Sequence, residues 1–161
     1  MLACAAPSPP AEVVEEVETL PDTSEVPAAC EGLWFSAGDG AAELVSGSAA
    51  VTLAEDGVLQ VCPGTHTTPI IIEASVLVVG GDPEEHVLSG LRAHTPVTIR
   101  AGAEDVGIQG ISIVDGAAQG STAQGGGVFC KGAGRVVMED VTVSGSAATH
   151  GGGVYAEGCD L

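Results

Sequence analysis

Gly125-Gly126-Gly127-Val128-Phe129-Cys130-Lys131-Gly132 and Gly151-Gly152-Gly153-Val154-Tyr155-Ala156-Glu157-Gly158 are near-copies of one phrase, alike at five of eight positions. A repeat with a period of about 20 to 50 residues marks a solenoid, because one unit cannot bury its own apolar face and must stack on the next. The rest of the chain agrees. Runs rich in β-branched residues, Val58-Leu59-Gln60-Val61, Ile70-Ile71-Ile72, Val76-Leu77-Val78-Val79, Val97-Thr98-Ile99, Ile111-Ser112-Ile113, Val136-Val137-Met138 and Val141-Thr142-Val143, recur between Gly, Asp and Ser turns. They read as short strands. In Val97-Thr98-Ile99, Ile111-Ser112-Ile113 and Val141-Thr142-Val143 a hydroxyl falls between two aliphatics, which turns the aliphatics inward and the hydroxyl toward solvent.

First strands of successive coils start near Ile70, Val97, Val128 and Val154, in steps of nearly equal length. At about 3.3 Å per residue, three short strands with tight turns bring the chain back about 4.8 Å further along an axis. The expected architecture is all-β: a parallel β-helix of about four coils over 58–161, a short cap over 32–57, and a linker over 1–31. The triplets Gly125, Gly126, Gly127 and Gly151, Gly152, Gly153 then serve as turn glycines, two copies fitting one crowded corner where positive φ is needed. They lack the strand-to-helix context, Walker lysine and GxGxxG spacing of a phosphate cradle.

The core must be built from small aliphatics, since Trp34, Phe35, Phe129 and Tyr155 are the whole aromatic inventory beside 24 glycines. Stacked coils suit such a chain. Charge removes several partners: 22 acids face only Arg92, Arg100, Lys131 and Arg135, for a formal net charge of -18. Nucleic acid needs clustered cations, and anionic glycans and bilayers are repelled unless divalent cations bridge the charges. No apolar run reaches the roughly 18 to 20 residues of a membrane-spanning helix.

Residues 1–31 contain Pro7, Pro9, Pro10, Pro21 and Pro27 with seven acids and no Lys or Arg. That composition predicts a disordered, extended acidic spacer. Met1-Leu2-Ala3-Cys4-Ala5-Ala6 resembles the end of a bacterial lipoprotein signal. The resemblance implies lipidation of Cys4, and Ala5 behind it implies the outer membrane. No charged or apolar leader precedes Cys4, so the same resemblance places the natural start upstream. At the other end Cys159-Asp160-Leu161 looks like the opening of another strand, an open rung of a longer protein or one that docks on a partner.

Ala54-Glu55-Asp56-Gly57-Val58-Leu59-Gln60-Val61-Cys62-Pro63-Gly64-Thr65-His66, then Val76 to Gly81 with Val87-Leu88-Ser89-Gly90, then Gly-Gly-Gly-Val followed by an aromatic, resemble bacterial right-handed parallel β-helix proteins. These are of the pectin-lyase-like superfamily, and the polymorphic outer-membrane protein repeat is the nearest type. Ser144-Gly145-Ser146 stands where that repeat carries its Asn. The resemblance covers 54–161 and implies adhesion or secretion. Activity does not follow from it, because the same solenoid carries lyases, hydrolases, adhesins and stalks.

With Cys4 lipidated, Cys30, Cys62, Cys130 and Cys159 remain, an even number that fits disulfides in an envelope protein. Three pairings exist beside buried free thiols. Cys30 with Cys62 and Cys130 with Cys159 are preferred. The register of the two glycine phrases sets Ala156 over Cys130, so a turn must bring Cys159 within about 7 Å. His66, His86, His94 and His150 fall in expected turns and read as solvated rather than as metal ligands. Lyases of this fold bind calcium through aspartates and use an Arg or Lys as base, which draws Asp105, Asp115, Glu139 and Asp140, with Arg100 and Arg135, into a rival enzymatic reading. The register puts Asp115 opposite Gly145 and scatters the acids, whereas calcium needs six to eight oxygens at one place.

The reading is a non-catalytic surface or cell-envelope scaffold for structure or adhesion, with no cofactor and no metal. Its partners are envelope components, a host or neighbouring-cell surface, or a glycan. The rival is a polysaccharide lyase or hydrolase built on Asp115, Asp140, Arg100 and Arg135.

Overall fold

The computed structural model describes residues 30–47 and 49–161. Nearly all of the linker read over 1–31, with Cys4, the residue expected to be lipidated, lies outside them. Among the described residues there are strands and no helix: β1 (Leu33–Ala37), β2 (Glu43–Leu44), β3 (Val51–Leu53), β4 (Gly57–Val61), β5 (Gly64–His66), β6 (Ile70–Ile72), β7 (Val76–Val79), β8 (His86–Ser89), β9 (Val97–Arg100), β10 (Asp105–Val114), β11 (Val128–Lys131), β12 (Arg135–Ser144) and β13 (Val154–Glu157).

Strands β3, β6, β9, β11 and β13 pair in parallel as one sheet, whose strands open at Val51, Ile70, Val97, Val128 and Val154. The step from Val51 to Ile70 is short, and the three steps after it are full-length turns. The second sheet carries β4, β7, β10 and β12 in parallel, with β8 beside the far half of the long strand β10 and β5 beside β8. Each long strand bends once. The pairing of β10 with β12 skips Gly110 and Asp140, which have φ of 61° and 50°. The left-handed conformation there turns the chain onto a new face.

Each coil therefore has three corners. The first (54–56, 73–75, 101–104, 132–134) leads out of the five-stranded sheet. The second (62–63, 80–85, 110, 140) separates the two halves of the larger sheet. The third (67–69, 90–96, 115–127, 145–153) returns the chain to the five-stranded sheet. The parallel stack begins at β3, inside the segment read as cap. The cap proper is antiparallel: β1 pairs with β2 and lies along β4, Leu33 against Val61 and Ala37 against Gly57.

Inward positions pile up in columns such as Leu53, Ile72, Ile99 and Cys130. All four are at most 2% exposed, so each large aliphatic contributes about 1.5 to 3 kcal/mol on burial. In Val97-Thr98-Ile99 the aliphatics are buried and the threonine is half-buried. Among the polar residues the structure corrects the sequence at His86, which opens β8 and is 9% exposed. Its Nδ1 lies 2.9 Å from the Asp82 carbonyl oxygen.

Both preferred disulfides form, with Cα–Cα distances of 5.4 Å for Cys30–Cys62 and 6.4 Å for Cys130–Cys159. Ala156 does sit over Cys130. Gly158, at φ 68°, supplies the turn that carries Cys159 back against the core.

Candidate functional site

The triple-glycine corners stack on each other. The amides of Gly125, Gly126 and Gly127 donate to the carbonyls of His150, Gly151 and Gly152 at 3.1, 3.2 and 3.2 Å. Because these segments hold no side chains, backbone packs on backbone, and the longest third-corner segment, 115–127, folds close against the strands it serves. Its residues 117–119 and 122–124, with Ala93, His94, Thr95, Thr98 and Phe129, line an open groove of about 490 Å³. The groove runs beside the outer face of the five-stranded sheet, where Thr52, Ile71, Thr98, Phe129 and Tyr155 follow one another in register.

Phe129 and Tyr155 form a stacked pair, ring centroids 5.8 Å apart and 4° from parallel. In-register stacking of aromatics on neighbouring rungs makes a flat apolar platform. The Tyr155 hydroxyl donates to Glu157 Oε2 at 2.9 Å, and Lys131 Nζ lies 3.0 Å from Glu157 Oε1. Lys131, hydrogen-bonded to it, holds the Glu157 carboxyl below its usual range, helped by Tyr155. Tyr155 is pushed above the ordinary phenol value, chiefly by its bond to Glu157.

The groove side carries no net charge, for a reason visible in the chain. No acid occurs between 86 and 103 or between 141 and 156, and Asp115 stands alone between 106 and 138. Asp115 is matched by Arg92, whose Nε is 3.2 Å from its Oδ1. The third corner is thus electrically balanced in a strongly acidic protein. In the groove wall, His94 Nε2 is buried without a hydrogen-bond partner.

Residues of the rival enzymatic reading do not meet. Arg100 ends β9 and is engaged by Glu73 at 2.8 Å. Arg135, at the start of β12, sits in backbone register with Asp105 and forms a backbone β-bridge with Asp160. Both Arg residues flank the first corner. Asp140 makes the second corner, and Asp115 opens the third, bonded through its amide to Ser144 and facing Gly145. Among the described residues no three His, Cys, Asp or Glu side chains gather as a metal site, and no helix is long and apolar enough to cross a membrane.

Sequence reasoning missed the groove, since strand periodicity does not say how a long corner folds back. The signal that was present is the gap in the distribution of acids. Compared with known families, curated proteins and solved structures, the chain has no match.

Proposed function

We propose that this chain is a non-catalytic display scaffold of the cell envelope or cell surface, whose groove side holds an extended, uncharged glycan by shallow contacts. The observation that carries the reading is the coincidence of the Phe129–Tyr155 platform with the one balanced flank of the molecule. Stacked rings present an apolar face suited to the C–H face of a sugar. Thr98, Thr122, Gln119 and Gln124 supply uncharged hydrogen-bonding groups beside it. Acidic corners elsewhere disfavour anionic polymers. A solenoid offers such contacts at each rung, so affinity accumulates along the stack rather than in one deep pocket.

The lyase or hydrolase alternative needs an acid, a base and a cation acting on one bond. Asp115, Asp140, Arg100 and Arg135 sit at three corners, and Asp115 and Arg100 are already engaged by Arg92 and Glu73. In this reading the resemblance to pectin-lyase-like helices of the polymorphic outer-membrane type describes a shared way of building a surface, and Cys4 is the lipid anchor. Fractionation tests the anchor: wild type is expected in the membrane fraction and Cys4→Ser in the soluble one.

The ligand is tested by retention on a neutral β-glucan and on polygalacturonate. Weak retention on the neutral polymer is expected, reduced about tenfold by Phe129→Ala, as the loss of one aromatic contact implies. Equal retention of the Phe129→Ala variant sinks the glycan reading, and release of new sugar ends from either polymer restores the enzymatic one.

A further inference from the structure

The opposite flank, the outer face of the larger sheet between the first and second corners, combines an apolar stripe with two acidic borders. Outward positions in register are Trp34, Gln60, Val79, Gln109 and Glu139 in one row and Ser36, Val58, Leu77, Gly107 and Val137 in the next, with Leu44 beside Trp34. Leu44 is 56% and Val58 41% exposed, and Trp34, Leu77, Val79 and Val137 are half-buried. Only Glu139, which ends the first row next to the second corner, is charged. Along the first-corner border run Asp39, Glu55, Asp56, Glu104 and Asp105, and along the second Asp82, Glu84, Glu85, Glu139 and Asp140. Arg135 is the lone cation on this flank among the described residues.

We propose that this face is a docking surface for a basic amphipathic protein helix, its apolar side chains on the Trp34–Leu77 stripe and its Lys or Arg residues on the two acidic borders. The dimensions agree. Six strands at about 4.8 Å span about 24 Å, which a helix of about 16 residues covers, and strands of four to five residues leave about 13 to 16 Å between borders for a helix about 10 to 12 Å wide. Charge selects the occupant. A second copy would bring the same acidic borders into contact, and the chain's own segment 1–31 carries seven acids and no Lys or Arg. An anionic bilayer is repelled as they are.

Trp34 is the only tryptophan of the chain and lies in the stripe, so it reports occupancy directly. The probe is a helical peptide of Leu and Lys, about 16 residues long to match that span, with the leucines on one face. Expected are a blue shift of Trp34 emission, saturable binding that weakens with salt, and about tenfold weaker binding for Val58→Ser. Leu77→Ser repeats that test should the first variant misfold, with circular dichroism as the check. Replacing Asp82, Glu84 and Glu85 by Lys is expected to weaken binding at least as much. The proposal is overturned if a Leu and Glu peptide of the same pattern binds equally, if a scrambled Leu and Lys peptide does, or if the serine variants bind like wild type. Self-association in sedimentation that Val58→Ser abolishes overturns it as well, by making a second copy the occupant.

Discussion

Gly126→Ala is expected to cost at least about 2 to 3 kcal/mol of stability, whereas Gly152→Ala, the same position of the motif one rung on, costs less than about 0.5 kcal/mol. A Cβ on Gly126 would collide with the Gly152 carbonyl oxygen and come within 2.6 Å of the Ala147 carbonyl oxygen. Both obstacles are backbone, so no rotamer change relieves them. A Cβ on Gly152 meets nothing nearer than 3.4 Å, and neither glycine has a positive φ. The contrast therefore isolates stacking from conformational strain. Urea denaturation of the two variants measures it, and equal losses would mean that the two corners are not stacked as described.

That stacking is also what made the fold legible. Hydroxyl-between-aliphatic triplets such as Val97-Thr98-Ile99 show which side is buried, because a strand alternates faces and a coil repeats them in register. Finding the period needed only the first residue of each strand, Ile70, Val97, Val128 and Val154. Other features depend on distant partners. Val51-Thr52-Leu53 has the same alternation as the later strands, yet β6 follows it at Ile70, a step too short to stand out as a period. The antiparallel lie of β1 along β4 joins segments that carry no common pattern. His86 looks like a turn residue because the loop 80–85 precedes it, but as the first residue of β8 it takes an inward place.

The candidate sites were legible to a lesser degree, and for a physical reason. Phe129 and Tyr155 occupy one place in the repeated phrase, so their stacking follows from the register. The groove beside them depends on the path of 115–127, which is set by glycine corners and by bonds such as Thr95 Oγ1 donating to the Gly125 carbonyl at 2.7 Å. Acids at 55, 56, 104 and 105, or at 82, 84 and 85, look like scattered surface charge along the chain. Only the division of each coil into corners sorts them into borders. Composition alone describes one strongly acidic protein; the solenoid separates an acidic flank from a balanced one, and the two proposals above rest on that separation.

Removing the Cys130–Cys159 bridge is expected to have the other large effect, and to confine it to the last rung. The two cysteines are 29 residues apart, and closing a loop of that size withdraws conformational entropy worth about 3 to 4 kcal/mol from the unfolded chain. Burial does little to replace it there: Val128 and Cys130 in β11 are fully buried, while Val154 and Tyr155 in β13 are half-exposed and Ala156 is exposed. Backbone hydrogen bonds hold β13 to β11 and the second glycine corner to the first, and the bridge adds the covalent constraint that keeps 145–161 on the stack. In the Cys130→Ala/Cys159→Ala variant, amide exchange at Val154–Glu157 should accelerate about a hundredfold or more, by the relation of about 1.4 kcal/mol per tenfold. Ile70–Ile72 and Val97–Arg100, stacked on both sides by other strands, should slow exchange as before, because a solenoid loses its terminal unit without unfolding its neighbours. Equal acceleration in β6 and β13 would show instead that the coils unfold as one cooperative body, and unchanged exchange in β13 would show that strand pairing alone holds the last rung.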